Sequence, residues 1–226
     1  MNKENNILEE NYYQIKSIIE NSKSTFNNSN YSADGRINST FDEGLIISHL
    51  QTLFPQQIEI APPRYWYDIC LSYKENNYYI NIKSTSGEHA DNISSKKGLY
   101  YALTGRIPEK INSYQKYNEN LIRNYNPNSS SDYYFVVFFK KDHTFLFTSL
   151  KHLNNVVPNG NNLPFQCLWG QEKDNIFHRS SVEQSKYLLN AYIDSYIKKS
   201  AGLDTLLDWR VKNDDETRTA GTIFHA

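Results

Sequence analysis

The run YYFVVFFKK at 133–141 limits the possible folds of this chain more than any other segment. It is aromatic or β-branched without a polar break until its two final lysines, which is typical of a strand that is buried on both faces. The segment 144–148 follows after a short polar turn and is predicted to pair with it. A strand of this kind requires a central sheet with other elements packed against both sides.

Two more aromatic and β-branched runs, 65–73 and 78–84, flank the turn-like residues 74–77. This arrangement predicts a β-hairpin. A further strand is predicted over 163–169. The sheet therefore contains strands from several separate parts of the chain.

Apolar residues at helical spacing predict the helices. One of them is predicted to have Thr40 as its N-cap, with Glu43 completing a capping box, and another to carry Pro108 in its first turn. The predicted ranges are 4–21, 41–54, 96–104, 108–123, 181–199 and 203–211. We therefore expect an α/β fold, with a mixed central β-sheet flanked by helices, in a single domain that covers 1–226.

The composition excludes several classes of protein. The 24 Lys and Arg residues against 25 Asp and Glu residues give a formal net charge of −1, which excludes a histone-like cation but allows a local basic cleft. The 2 cysteines, without a Cys-x-x-Cys spacing, exclude a disulfide scaffold and a zinc knuckle. No secretory signal or membrane-spanning run is visible, so we expect a cytoplasmic protein with no membrane partner.

Polar side chains interrupt the predicted hairpin at three positions. Asp68 stands within its first apolar run, and Asn81 and Lys83 alternate with isoleucines in the second. Strand alternation places Asn81 and Lys83 on one face, and hairpin pairing brings Asp68 beside them. Glu43 can approach from the preceding helix. Such groups are costly in a sheet unless they are paired or bind a metal.

A carboxylate, a carboxamide and an ammonium at one place suit metal-assisted hydrolysis of a phosphodiester. Asp and Glu oxygens bind Mg²⁺, a hard cation that keeps several waters and shares phosphate oxygens. A lysine beside the scissile phosphate stabilises the developing charge and can lower the pKa of the attacking water. Few other reactions use this combination of groups without a histidine.

These residues resemble the motif of the PD-(D/E)XK nuclease superfamily, and most closely that of its blunt-cutting type II restriction endonucleases. Asp68 matches the first acidic residue, and the tripeptide Asn-Ile-Lys at 81–83 matches the (D/E)-x-K element. Glu43 matches the upstream helical glutamate that many members carry. The resemblance implies a restriction-endonuclease-like core and a double-stranded DNA substrate.

The resemblance also implies a role for each residue of the motif. Asp68 and Glu43 are expected to bind Mg²⁺, or Mn²⁺ as its substitute, assisted by Asn81 and by the carbonyl oxygen of Ile82. Lys83 is expected to orient or activate the attacking water. In-line attack then leaves 5′-phosphate and 3′-hydroxyl ends.

The chain departs from the family pattern at two positions. Tyr67 precedes Asp68 where the family has a proline, and Asn81 occupies the position of the second acid. An asparagine oxygen can ligate a metal but carries no charge. Glu43 or Glu88 would then have to complete the site, although Glu43 can also be read as a helix cap alone.

Several polar residues are candidates for DNA contacts. Lys96 and Lys97 open a predicted helix, and both ammonium groups and helix N-termini bind phosphate. The loop 159–162 is rich in asparagine, which pairs with adenine through two hydrogen bonds and so suits an A·T-rich site. The predicted contacts are Arg64, Ser84, Thr85, Lys96, Lys97, Asn159, Asn161, Asn162 and Arg179. The rival base-reading candidates are Gln171, Lys173 and Asn175, or the segment 178–181.

The sequence as a whole predicts a type II restriction endonuclease with DNA-recognition loops built into its catalytic domain. Cutting both strands of a palindrome requires a two-fold homodimer, because site symmetry mirrors protein symmetry. Two alternatives remain. One is a repair or resolvase nuclease of the same superfamily, and the other is an inactive DNA-binding protein in which Asn81 marks a lost metal site.

Overall fold

The structure is a computed structural model that describes residues 3–22, 35–93, 95–109, 113–203, 205–208 and 210–211. Its helices are α1 (Lys3–Glu20), α2 (Gly35–Leu53), α3 (Lys96–Thr104), α4 (Tyr114–Asn124), α5 (Trp169–Glu172) and α6 (Ser181–Ser200), with a 3₁₀ turn at Leu150–His152. Its strands are β1 (Ile58–Ile60), β2 (Ile69–Tyr73), β3 (Asn76–Thr85), β4 (Asp91–Asn92), β5 (Tyr134–Phe139), β6 (Thr144–Ser149), β7 (Val156–Val157) and β8 (Gln166–Cys167). Residues 203, 205–208 and 210–211 are also helical. None of the helices within these ranges is long and apolar enough to cross a membrane.

Five strands form the central sheet in the order β1-β2-β3-β5-β6. Neighbouring strands are antiparallel except for β3 and β5, which pair in parallel from Ile80 opposite Tyr134 to Thr85 opposite Phe139. The chain between these two strands carries α3 and α4, since parallel strands need a long crossover connection. The mixed central sheet predicted from the sequence is confirmed.

The central strand β5 is covered on both faces, as its sequence predicts. Val136 and Phe138 are buried in a cluster that includes residues of α1 and α2. Phe135, Val137 and Phe139 are buried on the other face, in a cluster with residues of α3, α4 and α6. Helices therefore flank the sheet on both sides.

The predicted hairpin forms, but with a shorter turn and a shorter first strand. Only Lys74 and Glu75 separate β2 from β3, and both have positive φ angles, 45° and 66°. Two left-handed residues in succession are typical of the tight turn that matches the twist of a hairpin. Because β2 begins at Ile69, the prediction that Asp68 lies inside the strand is wrong, and Asp68 directly precedes it.

Two predicted helix starts are wrong. Thr40 lies inside α2, so it is not an N-cap, and the predicted capping box with Glu43 does not mark a helix start. α4 begins well after Pro108, with Ser113 as its N-cap, and the Ser113 hydroxyl accepts a hydrogen bond from a first-turn backbone N–H (3.2 Å). Short signals of this kind recur along a chain, and packing selects among them.

A second, three-stranded sheet has the order β4-β8-β7, with antiparallel pairs throughout. The predicted strand over 163–169 is reduced to β8 because α5 begins at Trp169. No strand was predicted at the positions of β4 or β7. Strands of two residues carry no alternation, so the sequence pattern cannot reveal them.

Candidate active site

The candidate site lies where β3 extends beyond the start of β2. β2 starts at Ile69, opposite Ile80, whereas β3 continues to Thr85, and among the described strands β5 alone pairs with this last part. The edge of β3 that faces β2 is therefore open beyond Ile80, and its backbone groups need other partners. Asp68 meets this need, since its N–H donates to Ile80 O (2.9 Å) and its Oδ2 accepts from the Ile82 N–H (2.7 Å). This contact fixes the carboxylate at the open edge.

The carbonyl group of Ile82 points toward the same open edge as its N–H. The reason is geometric, because the N–H and C=O groups of one strand residue lie on the same side of the strand. The backbone oxygen that the family resemblance assigns to the metal thus faces the neighbourhood of the Asp68 carboxylate.

The side chains of β3 alternate between its two faces as predicted. Ile80 and Ile82 are buried in the cluster beneath α1 and α2. Asn81 lines a small cavity of about 190 Å³ on the opposite face, together with Trp66 and other residues. Lys83, two positions further along the strand, shares the face of Asn81.

Two partly buried carboxylates and the lysine influence one another electrostatically. Burial raises the pKa of Glu43, the charge of Asp68 raises it further, and Lys83 opposes both effects. Burial also raises the pKa of Asp68, whereas the hydrogen bond from Ile82 and the charge of Lys83 lower it. Glu43 on α2, Asp68 just before β2 and Lys83 on β3 are therefore near enough for the charge of each to act on another.

Lys83 lies among more carboxylates than the motif contains. Burial lowers the pKa of its ammonium, and Asp68, Asp91 and Glu43, in that order, counteract this. Among the described residues, ion pairs within 4 Å link Lys16–Glu20, Lys140–Asp42 and Lys173–Asp142, and Lys83 takes part in none of them. Its ammonium is held near negative charge without being neutralised by one direct partner.

The oxygens at this edge fit a hydrated Mg²⁺ better than a fully protein-enclosed metal. In the described part of the chain, no three His, Cys, Asp or Glu side chains lie close enough to hold one ion together. Mg²⁺ keeps several waters and is usually held by one or two carboxylates plus substrate phosphates. The Oδ1 atom of Asn81 is buried and has no hydrogen-bond partner among the described residues, which fits an oxygen that serves an additional ligand.

Asp42 is a residue of this region that sequence reasoning missed. Its side chain is only 2% exposed, and its Oδ2 lies 2.7 Å from the ammonium of Lys140 and accepts a hydrogen bond from the Ser84 hydroxyl (2.8 Å). These contacts join α2 to the ends of β3 and β5, beside Glu43. Ser84, a predicted DNA contact, is thereby engaged with α2. The sequence indicated a role for Asp42 only through its position next to Glu43.

The predicted phosphate contacts Lys96 and Lys97 lie at the N-terminus of α3, after the N-cap Ser95. Both residues line the same small cavity as Asn81. The ammonium of Lys96 also lies 4.0 Å from the centre of the Tyr114 ring, and Lys97 is exposed. These two positive charges therefore face the same region as the motif residue Asn81.

The asparagine loop is anchored beside β4. Asn159 donates from Nδ2 to the Asn92 Oδ1 (2.9 Å), its Oδ1 accepts from the Asn161 N–H (3.0 Å), and its own N–H donates to the Ser195 hydroxyl (3.0 Å). Asn159 thus shapes the loop, whereas Asn161 and Asn162 are exposed. Of the three asparagines predicted to contact DNA, Asn161 and Asn162 therefore have side chains that are open to a partner.

The remaining predicted contacts differ in their surroundings. Arg64 is exposed in a turn and has a positive φ of 64°, whereas Thr85 is buried. The Arg179 guanidinium donates to Asn154 Oδ1 (3.0 Å) and Gln184 Oε1 (3.1 Å) and packs on an aromatic ring. Glu88, the alternative acid, is exposed. Arg64 is therefore better placed than Thr85 or Arg179 to touch DNA.

Comparison with known proteins assigns no family to this chain. No family model matches it, and no curated protein matches it significantly. Its function must be inferred from the residues of the site.

Proposed function

We propose that this protein is a Mg²⁺-dependent type II restriction endonuclease with a PD-(D/E)XK-like core. The main support for this proposal is that the charges of Glu43, Asp68 and Lys83 act on one another, and that Asp68 is fixed at the open edge of β3. Its substrate would be a palindromic, A·T-rich site in double-stranded DNA, cut in both strands to leave blunt ends with 5′-phosphates. Such an enzyme would act in the cytoplasm.

Each residue of the site has a separate task in this proposal. Asp68, Glu43, Asn81 and the Ile82 carbonyl would hold Mg²⁺, which when bound neutralises charge on the scissile phosphate. Lys83 would orient the attacking water and stabilise the negative charge that develops on the phosphate oxygens. Water would attack in line with the leaving 3′-oxygen.

DNA binding would divide between phosphate contacts and base contacts. Lys96, Lys97 and Arg64 are the cations best placed to bind phosphates, which fix the register without reading sequence. Asn161 and Asn162 would read adenine edges. Two copies related by a two-fold axis would place one site on each strand.

Plasmid digestion under a Mg²⁺ titration tests the function directly. Discrete fragments that require Mg²⁺, with 5′-phosphate ends found by sequencing, are expected. Single-strand nicks or cleavage of branched DNA would instead favour a repair or resolvase nuclease. DNA retention without cleavage at any Mg²⁺ concentration would favour an inactive DNA-binding protein. Sedimentation on uncleavable DNA should show two copies per site.

Asn161→Ala and Asn162→Ala are expected to weaken binding to the cognate site by about 1–3 kcal/mol each, with little change for random DNA. The reason is that a base contact contributes only to the correct sequence. Fluorescence anisotropy on both DNAs measures the difference. Lys97→Ala is the matched comparison and should weaken both DNAs alike while reducing the salt dependence. Equal losses on both DNAs for the asparagine variants would assign this loop to the phosphates.

Asn81→Asp is expected to bind Mn²⁺ about tenfold more tightly in the absence of DNA, since ligand charge strongly tunes affinity for hard cations. The wild-type protein should bind the ion weakly alone and well with uncleavable DNA, because the phosphate supplies the missing charge. Calorimetric titration measures both. Asn190→Asp, at an exposed position of α6, is the control. Unchanged affinity in Asn81→Asp would place Asn81 outside the metal site.

A further inference from the structure

Asp91 carries a buried oxygen atom that nothing in the described structure satisfies. It occupies the first position of β4, where it pairs with Cys167 of β8. Its Oδ2 is buried and has no hydrogen-bond partner. An unpaired buried carboxylate oxygen is costly, and in native proteins it usually has a functional explanation or an additional ligand.

The charge of Asp91 acts on Lys83 of the candidate active site. Asp91 is one of three carboxylates whose charge opposes the effect of burial on the pKa of Lys83, together with Asp68 and Glu43. No ion pair within 4 Å joins it to Lys83 among the described residues. Asp91 thus contributes negative charge to the site, and this charge is not neutralised by a direct ion pair with Lys83 in the described residues.

The motif lacks one negative charge, which an additional carboxylate could supply. Asn81 is neutral at the position where the related enzymes carry their second acid, and its own Oδ1 is also buried and unpaired. Glu88, the other acid on this connection, is exposed. Of the two acids that follow Lys83 in the loop before α3, Asp91 is the one that influences it.

We propose that Asp91 supplies the negative charge that Asn81 lacks and binds the hydrated metal ion through its water molecules. This deepens the proposed nuclease function and rests on it. A contact through water agrees with the finding that no three acidic side chains in the described residues can hold an ion directly. Mg²⁺ retains much of its water in proteins, so groups outside its inner coordination can still set affinity.

The test compares Asp91→Asn, Glu88→Gln, Lys83→Ala and the exposed control Asp174→Asn with the wild-type protein. Mn²⁺ affinity is measured by calorimetry on uncleavable DNA, together with the thermal midpoint and the Mg²⁺-dependent cleavage rate. Asp91→Asn should lose about 10–100-fold in Mn²⁺ affinity, the usual effect of removing an outer partner of a metal site. Its thermal midpoint should stay near that of the wild type, and Glu88→Gln and Asp174→Asn should bind Mn²⁺ normally.

Wild-type Mn²⁺ affinity in Asp91→Asn, or a loss in Glu88→Gln instead, would overturn the role of Asp91. The nuclease function would survive that result if the wild-type protein still cuts DNA and Lys83→Ala does not. A wild-type protein that neither binds Mn²⁺ nor cuts DNA would overturn both. If Asp91→Asn fails to fold, Asp91→Glu replaces it. Retained Mn²⁺ binding in that variant supports the proposal, and its loss with a normal thermal midpoint contradicts it.

Discussion

Lys83→Ala is expected to lower the rate of DNA cleavage by about 10²–10³-fold, on the scale of removing one preorganised electrostatic stabiliser. The charges of Asp68, Asp91 and Glu43 act on this ammonium, yet it forms no direct ion pair within the described part of the chain, so it remains available to the reacting phosphate and water. Specific DNA binding should persist, because phosphate affinity is shared among several cations. Single-turnover cleavage at saturating Mg²⁺, with anisotropy on the same duplex, separates the two quantities.

Lys141→Ala is the matched control for Lys83→Ala, because Lys141 is exposed and distant from the motif in sequence. It should cut DNA at the wild-type rate. A wild-type rate in Lys83→Ala as well would show that the motif has been assigned to the wrong residues. A loss of binding equal to the loss of rate would make Lys83 a phosphate contact and not a catalytic residue.

Local pattern was sufficient to predict the elements that carry the motif. The alternation around Asn81 and Lys83 placed them on one face of β3, and the uninterrupted apolar run placed β5 at the centre of the sheet. The first feature is a two-residue period and the second is a continuous apolar run, and the sequence displays both directly. The strand that contains Lys83 could therefore be located before any tertiary contact was known.

Contacts between distant segments could not be predicted in the same way. Asp68 reaches Ile82 because β2 begins at Ile69, four residues later than the predicted run 65–73, which leaves the edge of β3 open. β4 is too short to show a pattern, so neither the strand nor its residue Asp91 was predicted as part of the site. These features follow from where strands end and from what packs beside them, and neither is encoded in local periodicity.

Asp42→Ala is expected to reduce the free energy of unfolding by about 3 kcal/mol. Removing one partner of a buried ion pair costs about 3–5 kcal/mol, and the lower end applies because the Lys140 side chain is 31% exposed and partly rehydrates. The Ser84 hydroxyl also loses its acceptor, and α2 loses its attachment to the ends of β3 and β5. For a chain of this size, the thermal midpoint should fall by roughly 6–12 °C.

Asp142→Ala is the matched control for Asp42→Ala, since Asp142 also pairs with a lysine, Lys173, but its side chain is 49% exposed. Exposed ion pairs contribute about 0–1 kcal/mol, so this variant should unfold within a few degrees of the wild type. Urea unfolding followed by circular dichroism measures both variants. If the two variants lose equally little stability, the contact of Asp42 with Lys140 and Ser84 does not hold α2 against the sheet. The position of Glu43 would then depend on the apolar packing of α2 against the sheet, through residues such as Ile46 and Leu50.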